Sequence, residues 1–319
     1  MQYWIFYPPL KHATGGTVVL LQLASRLMEL GRLQGVLYWD TPLESHENIF
    51  PWVHVQSAKL RAQDCLIIPE GWPNALAFGF KAGCRSLVYC QNWAYLFQGL
   101  EPGVRWHNLP VDFLAVSDPV AWHMEQILGK RPPIIRPTIN QKIFFPPDNK
   151  PSGNYRVGFM PRKNKALAEQ IQRIFAERNP HISLDWIPIH GLDPEGVAQV
   201  LRSCHIFLVT GFPEGCPLPP LEAMACGCLC VGFNGFGGWD YMRQIDELGF
   251  IPPQYPLRTV PWQGNGWWVA DGDVLGAAQG LELAIKKLTS HDCHAIQQNM
   301  LLTTQSYSID SQRHEVAAV

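Results

Sequence analysis

Two carboxylates with seven residues between them, Glu214 and Glu222, sit in a 319-residue chain within the run Gly211-Phe-Pro-Glu214-Gly215-Cys216-Pro-Leu218-Pro-Pro-Leu-Glu222-Ala-Met-Ala-Cys-Gly227. Two negative groups repel a phosphate at close range. A phosphorylated ligand met here must therefore offer them hydroxyl donors, as a sugar or a ribose diol does, while spare amides at a helix start meet its phosphate. The plain alternative for Glu222 is a first-turn acid that favours the helix dipole by about 0.3–1 kcal/mol. A second feature is Gly15-Gly16, which lets backbone approach a ligand closely and opens a helix whose N-terminus favours anions. Its plain alternative is an ordinary strand-to-helix turn.

Such residues need a sheet to position them, because ligands of open α/β sheets bind beyond the carboxyl ends of parallel strands. Short apolar runs do alternate with segments of helical period, the pattern of a parallel sheet wrapped by crossover helices. In the first half the runs are 3–7, 36–39, 65–68, 87–90 and 113–116, with a weaker one at 134–135. Leu20, Ala24, Leu27 and Met28 form one stripe of a helix that follows Gly16 and ends at Gly31. Residues 137–154 accumulate Pro, Gly, Asn and Asp and read as a linker. The alternation then restarts with strands at 156–160, 184–187, 205–210 and 229–233 and helices at 166–178, 195–202, 220–226 and 274–288. Proline at the start and Gly227 just past the end suit the helix that carries Glu222.

Composition narrows the class. With 47% hydrophobic and 16% charged residues the chain is globular, and its length suggests about two domains. Twenty-five basic residues against 27 acidic, a formal net of −2, argue against broad binding to a nucleic-acid backbone. Nine cysteines form an odd, sparse set, as expected of reduced thiols in a cytoplasmic protein. No leader pattern and no apolar run of 18 residues is read, so neither secretion nor membrane spanning is expected. Contact with a membrane surface stays open.

The stretch from Glu214 to Gly227 resembles the Glu-x(7)-Glu motif of retaining glycosyltransferase family 4, with the GT-B fold. Gly15-Gly16, Ala115-Val-Ser117, Pro137-Thr-Ile-Asn140 with Phe145-Pro146, Asn265-Gly266 with Val269 and Asp273, and Tyr307-Ser308 occur in that family's order. The resemblance implies two Rossmann-like α/β domains facing a cleft. Residues 1–150 would form the acceptor side and 151–319 the nucleotide-sugar-binding side, with the final helix free to return to the first domain. It implies a nucleotide-diphosphate sugar donor, a hydroxyl acceptor of carbohydrate or glycolipid type and retention at the anomeric carbon; no cofactor is expected, and no metal, because basic residues are available for the diphosphate and Asp271 and Asp273 lie late in the chain at a helix start.

By the same resemblance Glu222 binds ribose hydroxyls and Glu214 contacts the donor sugar, with Gly215, Cys216, Leu218, Gly15 and Gly16 also on the donor side. Arg162 and a nearby Lys stabilise charge on the leaving diphosphate, a large electrostatic term in such chemistry. The family Lys falls at Leu167 here, so Lys163 or Lys165 must replace it. Pro217 stands where the family often offers a glycine N–H, and Cys216 replaces a larger residue, so the sugar pocket is expected to differ. Gln91-Asn92 occupy a place where a His is frequent, and neither can act as a general base. With no protein nucleophile evident, Glu214 and Arg162 are the catalytic candidates, and same-face attack assisted by the leaving phosphate is expected.

Other patterns have ordinary readings. Asp271-Gly-Asp273 has metal-pair spacing but opens a helix, where Asp273 serves as N-cap and the pair as a whole serves the helix end. Cys226, Cys228 and Cys230 alternate across a helix end and a strand and make no zinc set. Trp72, Trp93, Trp106, Trp239, Trp267 and Trp268 are core fillers for the most part, with one or two left to stack on sugar. His12 is read as structural. The rival functions are a nucleotide-sugar epimerase or hydrolase, told apart by product formed without acceptor, and a non-catalytic nucleotide- or sugar-binding protein, told apart by donor binding without turnover.

Overall fold

The computed structural model describes residues 1–10, 14–40, 49–245 and 255–319. These divide into two compact units, Met1–Thr138 with Asp310–Val319, and Ile139–Ile309. The composition of 137–154 placed a boundary at 150, yet the chain changes unit at Thr138. Residues beyond it are anchored in the second unit: Arg202 Nη1 donates to the Ile143 carbonyl at 2.9 Å, and Lys150 Nζ donates to the Cys226 carbonyl at 2.7 Å.

The first unit holds a parallel six-stranded sheet. Its strands are β1 (Tyr3–Phe6), β2 (Leu33–Tyr38), β3 (Trp52–His54), β4 (Cys65–Pro69), β5 (Arg85–Cys90) and β6 (Asp112–Ala115), in the order β3-β2-β1-β4-β5-β6. Every residue of β1 and β4 is buried, as expected when helices cover both faces of a parallel sheet. The helices are α1 (Gly15–Glu29), α2 (Leu76–Ala82) and α3 (Asp118–Leu128). Thr14 and Thr17 form a reciprocal capping box at the start of α1. Ser117 caps α3, which closes on left-handed Gly129. The C-terminal residues join this unit through Glu315, which accepts from the Arg136 amide at 2.6 Å and from its guanidinium at 2.7 Å.

The second unit holds five parallel strands: β7 (Tyr155–Phe159), β8 (Leu184–Pro188), β9 (Ile206–Val209), β10 (Leu229–Phe233) and β11 (Trp267–Val269). Their order is β11-β10-β9-β7-β8. After β7 the chain goes outward to β8 and returns across β7 to pair β9, so strand order reverses between β7 and β9. That reversal is the crevice where doubly wound sheets bind ligands. Around the sheet stand α4 (Lys165–Arg178), α5 (Pro194–Ser203), α6 (Leu218–Ala225), α7 (Val274–Thr289) and α8 (His294–Gln305), and α9 (Ile309–Ala317) follows.

All nine cysteines are buried and none forms a disulfide. Among the described residues no helix is long and apolar enough to cross a membrane.

Candidate active site

The segment after β7 and the segment after β9 meet at the strand-order reversal of the second unit. Asn164, in left-handed conformation at the N-cap of α4, donates to the Thr210 carbonyl at 2.8 Å. Two loops from different strands are thereby tied together, and a small pocket of about 60 Å³ opens between them. Its walls include Arg162, Lys163, Gly211, Glu214 and Pro217. Glu214 thus lines a real concavity together with two of the three basic residues, whereas Glu222 is not among its lining residues.

Lys163 reaches across the pocket. Its Nζ lies 2.8 Å from Glu214 Oε1 and 3.1 Å from the Pro213 carbonyl. Arg162 is exposed and has no hydrogen bond or ion pair among the described residues. Lys165 is not among the residues lining the pocket. It begins α4, exposed, 3.6 Å from Glu169 one turn along the same helix. Of the two lysines expected to replace the family cation, only Lys163 faces the carboxylate pair's loop.

Glu222 is the fifth residue of α6 and half-buried. Burial pushes its carboxyl up to about 7. No donor among the described residues reaches it. A half-buried carboxylate without a donor is costly in the free protein, and an incoming hydroxyl donor relieves that cost. The first-turn-acid reading of Glu222 does not hold, because α6 begins at Leu218 and its first turn contains no acid.

The start of α6 departs from the expectation of spare amides. Pro217 is the N-cap and Pro219 and Pro220 follow Leu218, so three of the four positions that ordinarily present unpaired N–H groups have none. Only the Leu218 amide remains to meet an anion. The shortage was legible in the sequence; the helix boundary shows which amide survives. Cys216 is buried, and the Pro217 carbonyl accepts from the buried Tyr241 hydroxyl at 2.7 Å, so this edge of the pocket is fixed.

Asp271 and Asp273 part company. Asp273 caps α7, accepting from the Gly276 amide at 2.8 Å. Asp271 does not serve that helix end, which corrects the sequence reading. Its Oδ1 accepts from the Gly235 amide at 2.8 Å, in the turn that holds Glu214. Replacing Asp273 by Asn should change stability by no more than a few tenths of a kcal/mol, whereas Ala should cost about 1 kcal/mol, read by thermal or urea unfolding.

In the first unit, Gly15 and Gly16 open α1 at the carboxyl end of β1. A Cβ on Gly16 would stand 2.6 Å from Gln91 Oε1, whereas Gly15 faces open space, so the close approach found here is to a side chain. Sequence reasoning missed Glu70, which follows β4 and is buried. It accepts from the Gln91 and Asn92 amides at 3.0 and 2.9 Å, and burial lifts its carboxyl to about 7. A charged residue directly after an all-apolar strand was the available signal. Of the candidate tryptophans, Trp106, Trp239, Trp267 and Trp268 are core, while Trp72 and Trp93 remain partly accessible. His12 lies outside the described residues.

Residues 157–287, which run from β7 into α7, match the family model of glycosyl transferases group 1. An alpha-1,6-glucosyltransferase of Actinobacillus pleuropneumoniae serotype 7 is 25% identical over 316 residues, spanning 96% of this chain and 90% of the relative. A glycosyltransferase from Rickettsia africae superposes with a TM-score of 0.68 at 11% identity, covering 99% of this chain and 97% of that one. Sucrose-phosphate synthase from Thermosynechococcus elongatus gives 0.65 at 13%, covering 100% and 98%. The structural likenesses establish the fold as GT-B, with two Rossmann-like units. The matched region and the full-length relative together make the chain a glycosyltransferase.

Proposed function

We propose that the chain transfers a hexosyl unit from a nucleotide-diphosphate sugar to a hydroxyl of a carbohydrate or glycolipid acceptor, with retention and without a metal ion. The observation that carries this reading is the half-buried Glu222 carboxylate, which among the described residues has no donor and stands on the helix after β9, in the same unit as Arg162, which has no ion pair among them. A ribose diol supplies two O–H donors to Glu222. The diphosphate then meets Arg162 and the Leu218 amide, and the donor sugar meets Glu214. Arg162 stabilises the charge that develops as the diphosphate leaves, and that phosphate takes up the proton of the attacking hydroxyl on the same face of the sugar. In the free protein Lys163 is held by Glu214, so it neutralises the carboxylate that contacts the sugar and turns to the diphosphate when the donor enters.

The metal-free reading is supported by the employment of the two acidic side chains with metal-pair spacing, one as a helix cap and the other on a backbone amide. Transfer measured by release of nucleoside diphosphate should persist in EDTA. If the chelator abolishes transfer and magnesium or manganese restores it, a metal bridges the diphosphate.

A further inference from the structure

Glu214 is held from behind by a turn contributed by another strand. Its amide donates to the Gly235 carbonyl at 3.0 Å, and its carbonyl accepts from the Gly237 amide at 3.0 Å, so residues 235–237 bracket its backbone on both sides. The two segments touch closely. A Cβ on Gly235, where φ is +63°, would meet Glu214 Cβ at 2.8 Å, and one on Gly237 would meet the Gly215 carbonyl oxygen at 2.1 Å. Displacing this turn therefore displaces Glu214.

The turn does not hold itself. Phe236 has φ +65° and ψ −55°, and the Gly237 amide donates back to the Gly235 carbonyl at 2.9 Å, a three-residue γ-turn of the positive-φ kind that strains an L-residue. Surrounding groups keep it in place. Asn234 accepts from the Phe236 amide at 2.8 Å and donates to the Val269 carbonyl at 3.0 Å, fastening the turn to β11. Asp271, two residues past β11, accepts from the Gly235 amide at 2.8 Å. Burial raises the Asp271 carboxyl, the neighbouring turn amides oppose the rise, and the charge of Glu214 adds to it. This aspartate lies close enough to Glu214 to feel it, yet bonds the turn instead.

We infer that Asp271 is a positioning residue for glycosyl transfer, acting through the Gly235–Gly237 turn to set the place of Glu214 against the donor sugar. The inference rests on the reading of Glu214 as the sugar-contacting carboxylate. It separates the duties of the unit: Glu222 and Arg162 hold the nucleotide, while Asp271 sets only the sugar end. What matters in Asp271 is its acceptor oxygen, which asparagine also has, rather than its charge.

The test uses Asp271→Ala, Asp271→Asn and Glu214→Gln in the full chain. Readouts are kcat and KM for the donor and the affinity for nucleoside diphosphate by calorimetry. Asp271→Ala should lower kcat at least tenfold with diphosphate affinity changed less than threefold, and Asp271→Asn should restore kcat to within about threefold of the parent. Wild-type kcat in Asp271→Ala, or a loss in Asp271→Asn as deep as in Ala, overturns the inference. So does a loss of diphosphate affinity equal to the loss of kcat. Should Asp271→Ala fail to fold, Asp271→Asn decides alone, since it keeps the acceptor and discards the charge. Glu214→Gln separates the two levels. A deficient Glu214→Gln beside a fully active Asp271→Ala defeats this inference only, whereas a fully active Glu214→Gln defeats the reading of Glu214 on which it rests.

Discussion

Replacing Glu222 by Ala should weaken binding of the nucleoside diphosphate by about 1.5–3 kcal/mol, the scale of hydrogen bonds to a charged group, or roughly tenfold to more than a hundredfold in Kd. The same carboxylate makes a pH prediction. Its folded-state value of about 7 lies above the ordinary range, so burial disfavours the charged form. A diol that donates two hydrogen bonds favours the charged form and lowers the value in the complex. Binding therefore releases a proton below pH 7, and affinity should rise with pH up to about 7 and then level off. The ligand's own phosphate also titrates, so the part owed to Glu222 is the difference between the parent and Glu222→Gln. Identical pH profiles for the two proteins would contradict the assignment.

Linkage gives a stability counterpart. A carboxyl raised in the folded state costs nothing while both states are protonated, begins to destabilise as pH passes the unfolded value, and reaches its full cost above about 7. The ligand-free Glu222→Gln protein should then be more stable than the parent at pH 8, by about 1–3 kcal/mol, with the difference vanishing toward pH 4. Urea unfolding at the two pH values reads it. A site that gains stability when its ligand-binding group is removed is the expected signature of a group kept for function.

Arg162→Ala should lower affinity for nucleoside diphosphate by a similar factor, about 1.5–3 kcal/mol, while leaving affinity for the nucleoside nearly unchanged. The reason is the helix start. With proline at the N-cap, second and third positions of α6, only the Leu218 amide is left to the phosphates, so charge neutralisation falls on side chains. Arg162 has no competing partner among the described residues, whereas Lys163 must first leave Glu214. Equal losses for nucleoside and diphosphate would remove Arg162 from the phosphates.

Much of this was legible in the sequence, and the limits have physical causes. Strands such as Cys65–Pro69 and Leu229–Phe233 are buried on both faces and read as unbroken apolar runs. The short Trp52–His54 strand is not buried throughout and gives no such run. Helix α3 escaped the reading although Ser117, Asp118 and Pro119 are a strong helix start, a signal present but not used. Within the site, the spacing of Glu214 and Glu222 and the position of Arg162 were local facts. The Lys163–Glu214 pair and the contact of Asp271 with Gly235 were not, because they depend on which strands are neighbours. No local pattern in β7, β9, β10 or β11 states the order in which they pair. The buried turn at Gly235 was likewise invisible, since its conformation is imposed by the contacts of Asn234 with Val269 and of Gly235 with Asp271, 35 and 36 residues apart in the chain.

The most direct measurement is a crystal structure of the full chain with bound nucleoside diphosphate, the base chosen by titrating uridine, guanosine and adenosine diphosphates. The ribose hydroxyls should lie within about 2.5–3.0 Å of the Glu222 carboxylate, with the diphosphate against Arg162 and the Leu218 amide. A nucleotide bound elsewhere, or bound here with its ribose turned away from Glu222, would contradict the account.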